Sequence, residues 1–99
     1  MGLDAHLEDE FGEELDSFID DGGALAAAIP RGPDYPMLRG VDLEGATTFN
    51  RLQLAAVVPE LERLSAGASP DAQRVLSRLL KMARKAAAEP HLYLRLMGD

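Results

Sequence analysis

Along the chain, the spacing of apolar positions switches between strand and helix periods. Leu3, Ala5 and Leu7 alternate with Asp4, His6 and Glu8, the period of two expected of a strand with one buried face. Asp9–Gly12 supplies turn residues, with Gly12 free to take a positive φ. Residues 13–19 fit two patterns. A helix would gather Phe11, Leu15, Phe18 and Ile19 on one face and stop at Gly22, whereas a strand would complete a hairpin with the first. The strand is preferred, because Asp16, Ser17 and Phe18 in succession are poor helix formers. A short helix over 23–29 follows, capped by Asp20 or Asp21 and ended by Pro30. Pro30, Pro33 and Pro36 then hold an extended loop. Residues 37–41 read as a short strand, 42–45 as a turn and 46–48 as the returning strand.

The sharpest local signal lies at Thr48–Leu64. Asn50 is placed to cap a helix, and Gln53, three residues on, is placed to reach back to the Asn50 N–H. Phe49 and Leu54 stand at the positions of a hydrophobic staple, and Leu54, Val57, Val58, Leu61 and Leu64 form an apolar stripe. Pro59 interrupts it, and either kinks this helix or begins a second one at its first position. Ser69 and Pro70 open the next helix, whose core stripe runs through Ala72, Val75, Leu76, Leu79, Met82, Ala83 and Ala86. Arg74, Arg78, Lys81 and Lys85 line up on another face of it. Pro90 stops it. Leu92, Leu94 and Leu96, alternating with His91, Tyr93 and Arg95, predict a closing strand over 91–97. The expectation is a single α+β domain over residues 1–99, an antiparallel sheet of about five short strands packed against two main helices, in the order β-β-α-β-β-α-α-β.

Composition narrows the function classes. The 99 residues contain no cysteine, which removes disulfides, thiolate metal sites and cysteine nucleophiles. The acidic first residues do not read as a signal peptide. The longest uncharged run, Gly22–Pro30, has 9 residues, too few to span a bilayer. A cytoplasmic protein is expected. Residues 1–50 carry twelve acids against Arg31 and Arg39, a net −10, whereas residues 51–99 carry eight bases against five acids, a net +3. That acidity opposes binding to nucleic acid or to an anionic membrane surface and would attract a basic protein. The plain alternative is that it keeps a small domain soluble.

Tyr35-Pro36-Met37-Leu38, Thr48-Phe49-Asn50-Arg51-Leu52-Gln53, Glu89-Pro90-His91-Leu92-Tyr93-Leu94-Arg95 and the terminal Gly98-Asp99 resemble segments of a group of small uncharacterised bacterial proteins. The resemblance spans nearly the whole chain. It implies a bacterial, single-domain, cytoplasmic protein, and it carries over no activity.

Catalytic grammar is sparse. No phosphate-binding glycine loop and no dinucleotide fingerprint is present, and an EF-hand reading of residues 9–20 fails because Phe11 occupies a ligand position. No cofactor is expected. His6 shares a strand face with Asp4 and Glu8, a donor set suited to a divalent metal, and His91 or Tyr93 would join it if the first and last strands pair. The constrained loop at 31–36 offers Tyr35 as a contact residue. The leading expectation is a protein-interaction module of inhibitor or immunity type. It would bind a basic partner through an acidic N-terminal face, with Asp4, Glu8, Glu13, Asp16 and Tyr35 as contact candidates. The rival is a small metal-dependent or acid–base enzyme using Asp4, His6 and Glu8, with His91 as a further ligand. A homodimer is the simplest product of an uncovered sheet edge.

Overall fold

A computed structural model describes residues 2–99. Among the described residues the fold is α+β, with a four-stranded antiparallel sheet and three helices. In chain order these are β1 (Leu3–Asp9), β2 (Glu14–Phe18), α1 (Ala24–Ala28), β3 (Ala46–Phe49), α2 (Arg51–Ala66), α3 (Pro70–Ala88) and β4 (Leu92–Gly98). Short 3-10 turns occupy Asp21–Gly23 and Leu38–Gly40.

Four strands, not five, form the sheet, and they lie in the order β2-β1-β4-β3. The expected strand over 37–41 is a 3-10 turn instead, so β3 pairs with β4 rather than with its predecessor in sequence. The cause is a distant side chain. Glu60 of α2 is buried, and its carboxylate accepts the Met37 N–H at 3.0 Å and the Leu38 N–H at 2.9 Å. Those donors, engaged by a helix, are lost to a strand ladder.

The first and last strands pair along their whole length, Leu3 opposite Gly98 through Asp9 opposite Leu92. Leu3, Ala5 and Leu7 of β1 and Leu92, Leu94 and Leu96 of β4 face the helices and are buried. They meet Leu54, Val57 and Leu61 of α2 and Leu76, Leu79, Met82 and Ala83 of α3 in one apolar cluster. The other sheet face is polar and half exposed, as antiparallel sheets allow. Across it run Ser17, His6, Arg95 and Thr48 in one cross-strand row, and Glu14, Glu8 and Tyr93 in the next.

Helix α2 is continuous through Pro59, so the proline does not divide it. Its capping box is complete: Asn50 Oδ1 accepts the Gln53 N–H and Gln53 Oε1 accepts the Asn50 N–H, each at 2.9 Å. Asn50→Ala is therefore expected to lower stability by about 1 kcal/mol in urea unfolding, with an unchanged m-value. Ser69 caps α3 through the Ala72 N–H. Asp20 is the second buried acid and joins two elements. Its carboxylate accepts the N–H of Leu3 at 3.0 Å and those of Leu25 and Ala26 at 2.9 and 3.0 Å, tying β1 to the start of α1.

Candidate functional site

The β1–β2 hairpin gathers the acidity. Residues 8–14 hold Glu8, Asp9, Glu10, Glu13 and Glu14 with no base among them. The connecting loop is held by its own polar groups. Asp9 Oδ1 accepts the N–H of Phe11 and of Glu13, both at 2.9 Å, the Asp9 carbonyl accepts from Gly12 at 3.1 Å, and Gly12 takes φ 79°. Asp9 thus serves the loop, the short-range bonding that favours aspartate in turns. The loop leaves Phe11 86% exposed at its tip. Glu10 reaches His91 at 2.8 Å, which ties the tip to the turn before β4.

Strand β2 is one outer edge of the sheet. Its pairing with β1 is irregular between Leu7 and Glu8: Leu7 stands opposite Asp16, yet Glu8 stands opposite Glu14. One extra residue, Leu15, is accommodated there, the signature of a β-bulge. In an unbroken register Leu15 would oppose Glu8. The bulge instead swings Glu14 onto the polar face, where its Oε1 lies 2.5 Å from His6 Nδ1. His6, Glu8 and Glu14 then each present a donor atom within 4.8 Å of the others. Arg95 Nη1 lies 3.8 Å from Glu8 Oε2, too long for a direct hydrogen bond.

The contact and ligand candidates separate. Glu8 and Glu13 lie on the hairpin, Glu13 exposed. Asp16, also on β2, is engaged: Arg78 of α3 approaches it at 3.2 Å and lies over the Phe18 ring at 5.6 Å. Asp4 is half buried and accepts the Asp20 N–H at 2.9 Å. Tyr35 packs on the core beneath the Arg63 guanidinium, 4.9 Å from its ring centre, so it is a packing residue more than a free contact. His91 does not lie on the closing strand. It occupies the turn before β4 with φ 64° and faces Glu10, and it is not part of the cluster formed by His6, Glu8 and Glu14.

Glu14 was not among the ligand candidates, because strict alternation gives no sign of a bulge. Phe11 falls within the expected Asp9–Gly12 turn, but nothing in the alternation marks it as a contact residue. An apolar residue inside an acidic turn was the available sign of an exposed tip.

A shallow cleft lies at the end of the sheet, lined by Asn50, Arg51, Leu52, Pro90, His91, Leu92 and Tyr93. Its helix terminus is already served by the capping box. Among the described residues, no helix is long and apolar enough to cross a membrane. No protein-family model, curated protein or solved structure matches the chain. Its class therefore rests on its own fold and surface: a small α+β domain that presents an acidic hairpin with an apolar tip.

Proposed function

We propose that the chain is a protein-interaction module whose β1–β2 hairpin docks a basic partner, as an inhibitor or immunity-type protein would. Phe11 carries this reading. A ring 86% exposed on a loop fixed by its own hydrogen bonds is ready to enter an apolar pocket with little ordering cost. Its burial would contribute about 1.5–3 kcal/mol. Glu8, Glu10, Glu13 and Glu14 surround it in sequence as an acidic rim, the arrangement of an aromatic anchor inside a charged border. The rim would steer a basic surface and set the pairing geometry.

The outer edge of β2 supports a heterologous partner over a second copy. Pairing β2 with a second copy about a two-fold axis at Leu15 would set Glu14 opposite Asp16, and like charges in facing strands are destabilising. A basic strand would meet the opposite sign. The enzyme alternative has less support: acid–base work calls for carboxylates in different environments inside a cleft, and Asp4, His6 and Glu8 lie on an open sheet face. The resemblance to small bacterial proteins adds a bacterial, cytoplasmic setting to the proposal.

The test compares wild-type and Phe11→Ala baits in lysate at low salt, eluted with a salt ramp. The expected result is one basic protein released at moderate salt, with at least tenfold weaker binding, about 1.4 kcal/mol, to Phe11→Ala. Phe11 has no core contact, so the variant's thermal midpoint should match wild type. Equal capture by both baits, or retention independent of salt, would refute the hairpin as the docking element. A dimer in sedimentation would redirect the reading to self-association.

A further inference from the structure

We propose that His6, Glu8 and Glu14 form a binding site for a divalent transition-metal cation, zinc foremost, at the base of the hairpin. The three come from two strands, and the bulge brings the third of them into place. Without it, Leu15 would oppose Glu8, and a leucine offers no donor. With it, two carboxylates face one another across adjacent strands, Glu14 against His6 and Glu8 with Arg95 at 3.8 Å, and a bound cation would relieve their remaining repulsion.

The donor chemistry fits. One imidazole and two carboxylates suit zinc, manganese or iron better than calcium or magnesium, which favour all-oxygen shells. Zinc bonds of about 2.0–2.2 Å hold tetrahedral ligands about 3.3–3.6 Å apart. The three donors lie within 4.8 Å of one another, so side-chain rotation alone reaches that spacing. The His6–Glu14 contact at 2.5 Å opens as the cation enters, and the other separations close. Arg95 is an ion-pair partner of Glu8 at 3.8 Å but makes no direct hydrogen bond to it, so the Glu8 oxygens keep their lone pairs for a cation. The site is reachable from solvent, with the His6 side chain 21% and Glu14 49% exposed. Three protein ligands leave the fourth zinc position to water.

Glu8 and Glu14 belong also to the proposed acidic rim, but Phe11 takes no part in the metal site and the zinc readouts need no partner, so failure of one proposal is distinguishable from failure of the other. The test titrates zinc, and separately magnesium, into the intact chain by calorimetry while proton NMR follows the two histidine rings. One zinc per chain is expected, with the His6 ring signals shifting, those of His91 unmoved, and no response to magnesium. His6→Ala and Glu14→Gln should each weaken zinc binding at least tenfold, and His91→Ala should leave it unchanged. Glu14→Gln sits on an exposed edge and keeps the side chain's shape, so it reads the site even if His6→Ala disturbs the sheet. Failure of zinc to bind, binding retained in both site variants, or a response only at His91 would overturn the assignment.

Discussion

Asp20→Asn is expected to lower the stability of the domain by about 3 kcal/mol, which for a domain of this size shifts the melting midpoint by roughly 12–24 °C. The change conserves shape, and its effect comes from hydrogen-bond polarity. The Asp20 carboxylate is 6% exposed and accepts three backbone N–H groups, Leu3 and Ala26 on one oxygen and Leu25 on the other. An ionised carboxylate is acceptor-only, so both oxygens suit their donors. An asparagine must place its NH2 where one oxygen stood. In either orientation a donor then faces a buried donor, and at least one N–H loses its partner. Hydrogen bonds to charged acceptors contribute about 1.5–3 kcal/mol each, and a stranded buried donor costs about 1–3 kcal/mol more. Relief of the buried charge offsets part of this. Thermal and urea unfolding would measure the loss. Hydrogen exchange would locate it, because the Leu25 and Ala26 amides should exchange faster than those of α3. A change below about 0.5 kcal/mol would mean that the carboxylate is not the clasp between β1 and α1.

Local signals were legible and distant ones were not. Leu3, Ala5 and Leu7, with Leu92, Leu94 and Leu96, announced two half-buried strands, because alternation is a property of each segment alone. Asn50 with Gln53, and Ser69 with Pro70, marked helix starts for the same reason. Residues 37–41 misled because their apolar spacing also suits a tight turn, and what decides between the two is Glu60, more than twenty residues away. Glu60 did leave a trace. It lies three residues after Val57 and beside Leu61, an acid at the margin of a buried stripe. The candidate site was half visible for a similar reason. His6 and Glu8 share a face by alternation, but Glu14 reaches them through a bulge that no pattern in residues 13–19 encodes. Excess acidity was plain in the composition. Its division into two buried clasps, Asp20 and Glu60, and an exposed hairpin required the fold.

Glu60→Gln should act on one loop more than on the whole domain. Glu60 is 4% exposed, and both its oxygens face the turn at Leu38–Gly40, accepting from Met37 at 3.0 and 3.2 Å and from Leu38 at 2.9 Å. Glutamine retains one acceptor and turns a donor toward Met37 or Leu38, so a loss of about 2 kcal/mol is expected. The sheet and the α2–α3 pair do not depend on that contact. The loop has a second anchor in Arg31, whose Nη1 donates to the carbonyls of Arg39 and Val41 at 2.8 and 2.9 Å. Because both anchors hold one segment, their losses should not add. Glu60→Gln with Arg31→Ala is expected to depart from the sum of the single variants by at least about 0.5 kcal/mol. Trypsin offers the local readout, since Arg39 follows Leu38, which is fully buried, and lies inside the anchored turn. Cleavage at Arg39 should accelerate in Glu60→Gln while cleavage at Lys81 of α3 keeps its wild-type rate. Equal acceleration at both sites would mean that the carboxylate supports the whole fold, and that the loop and the helical layer unfold as one unit.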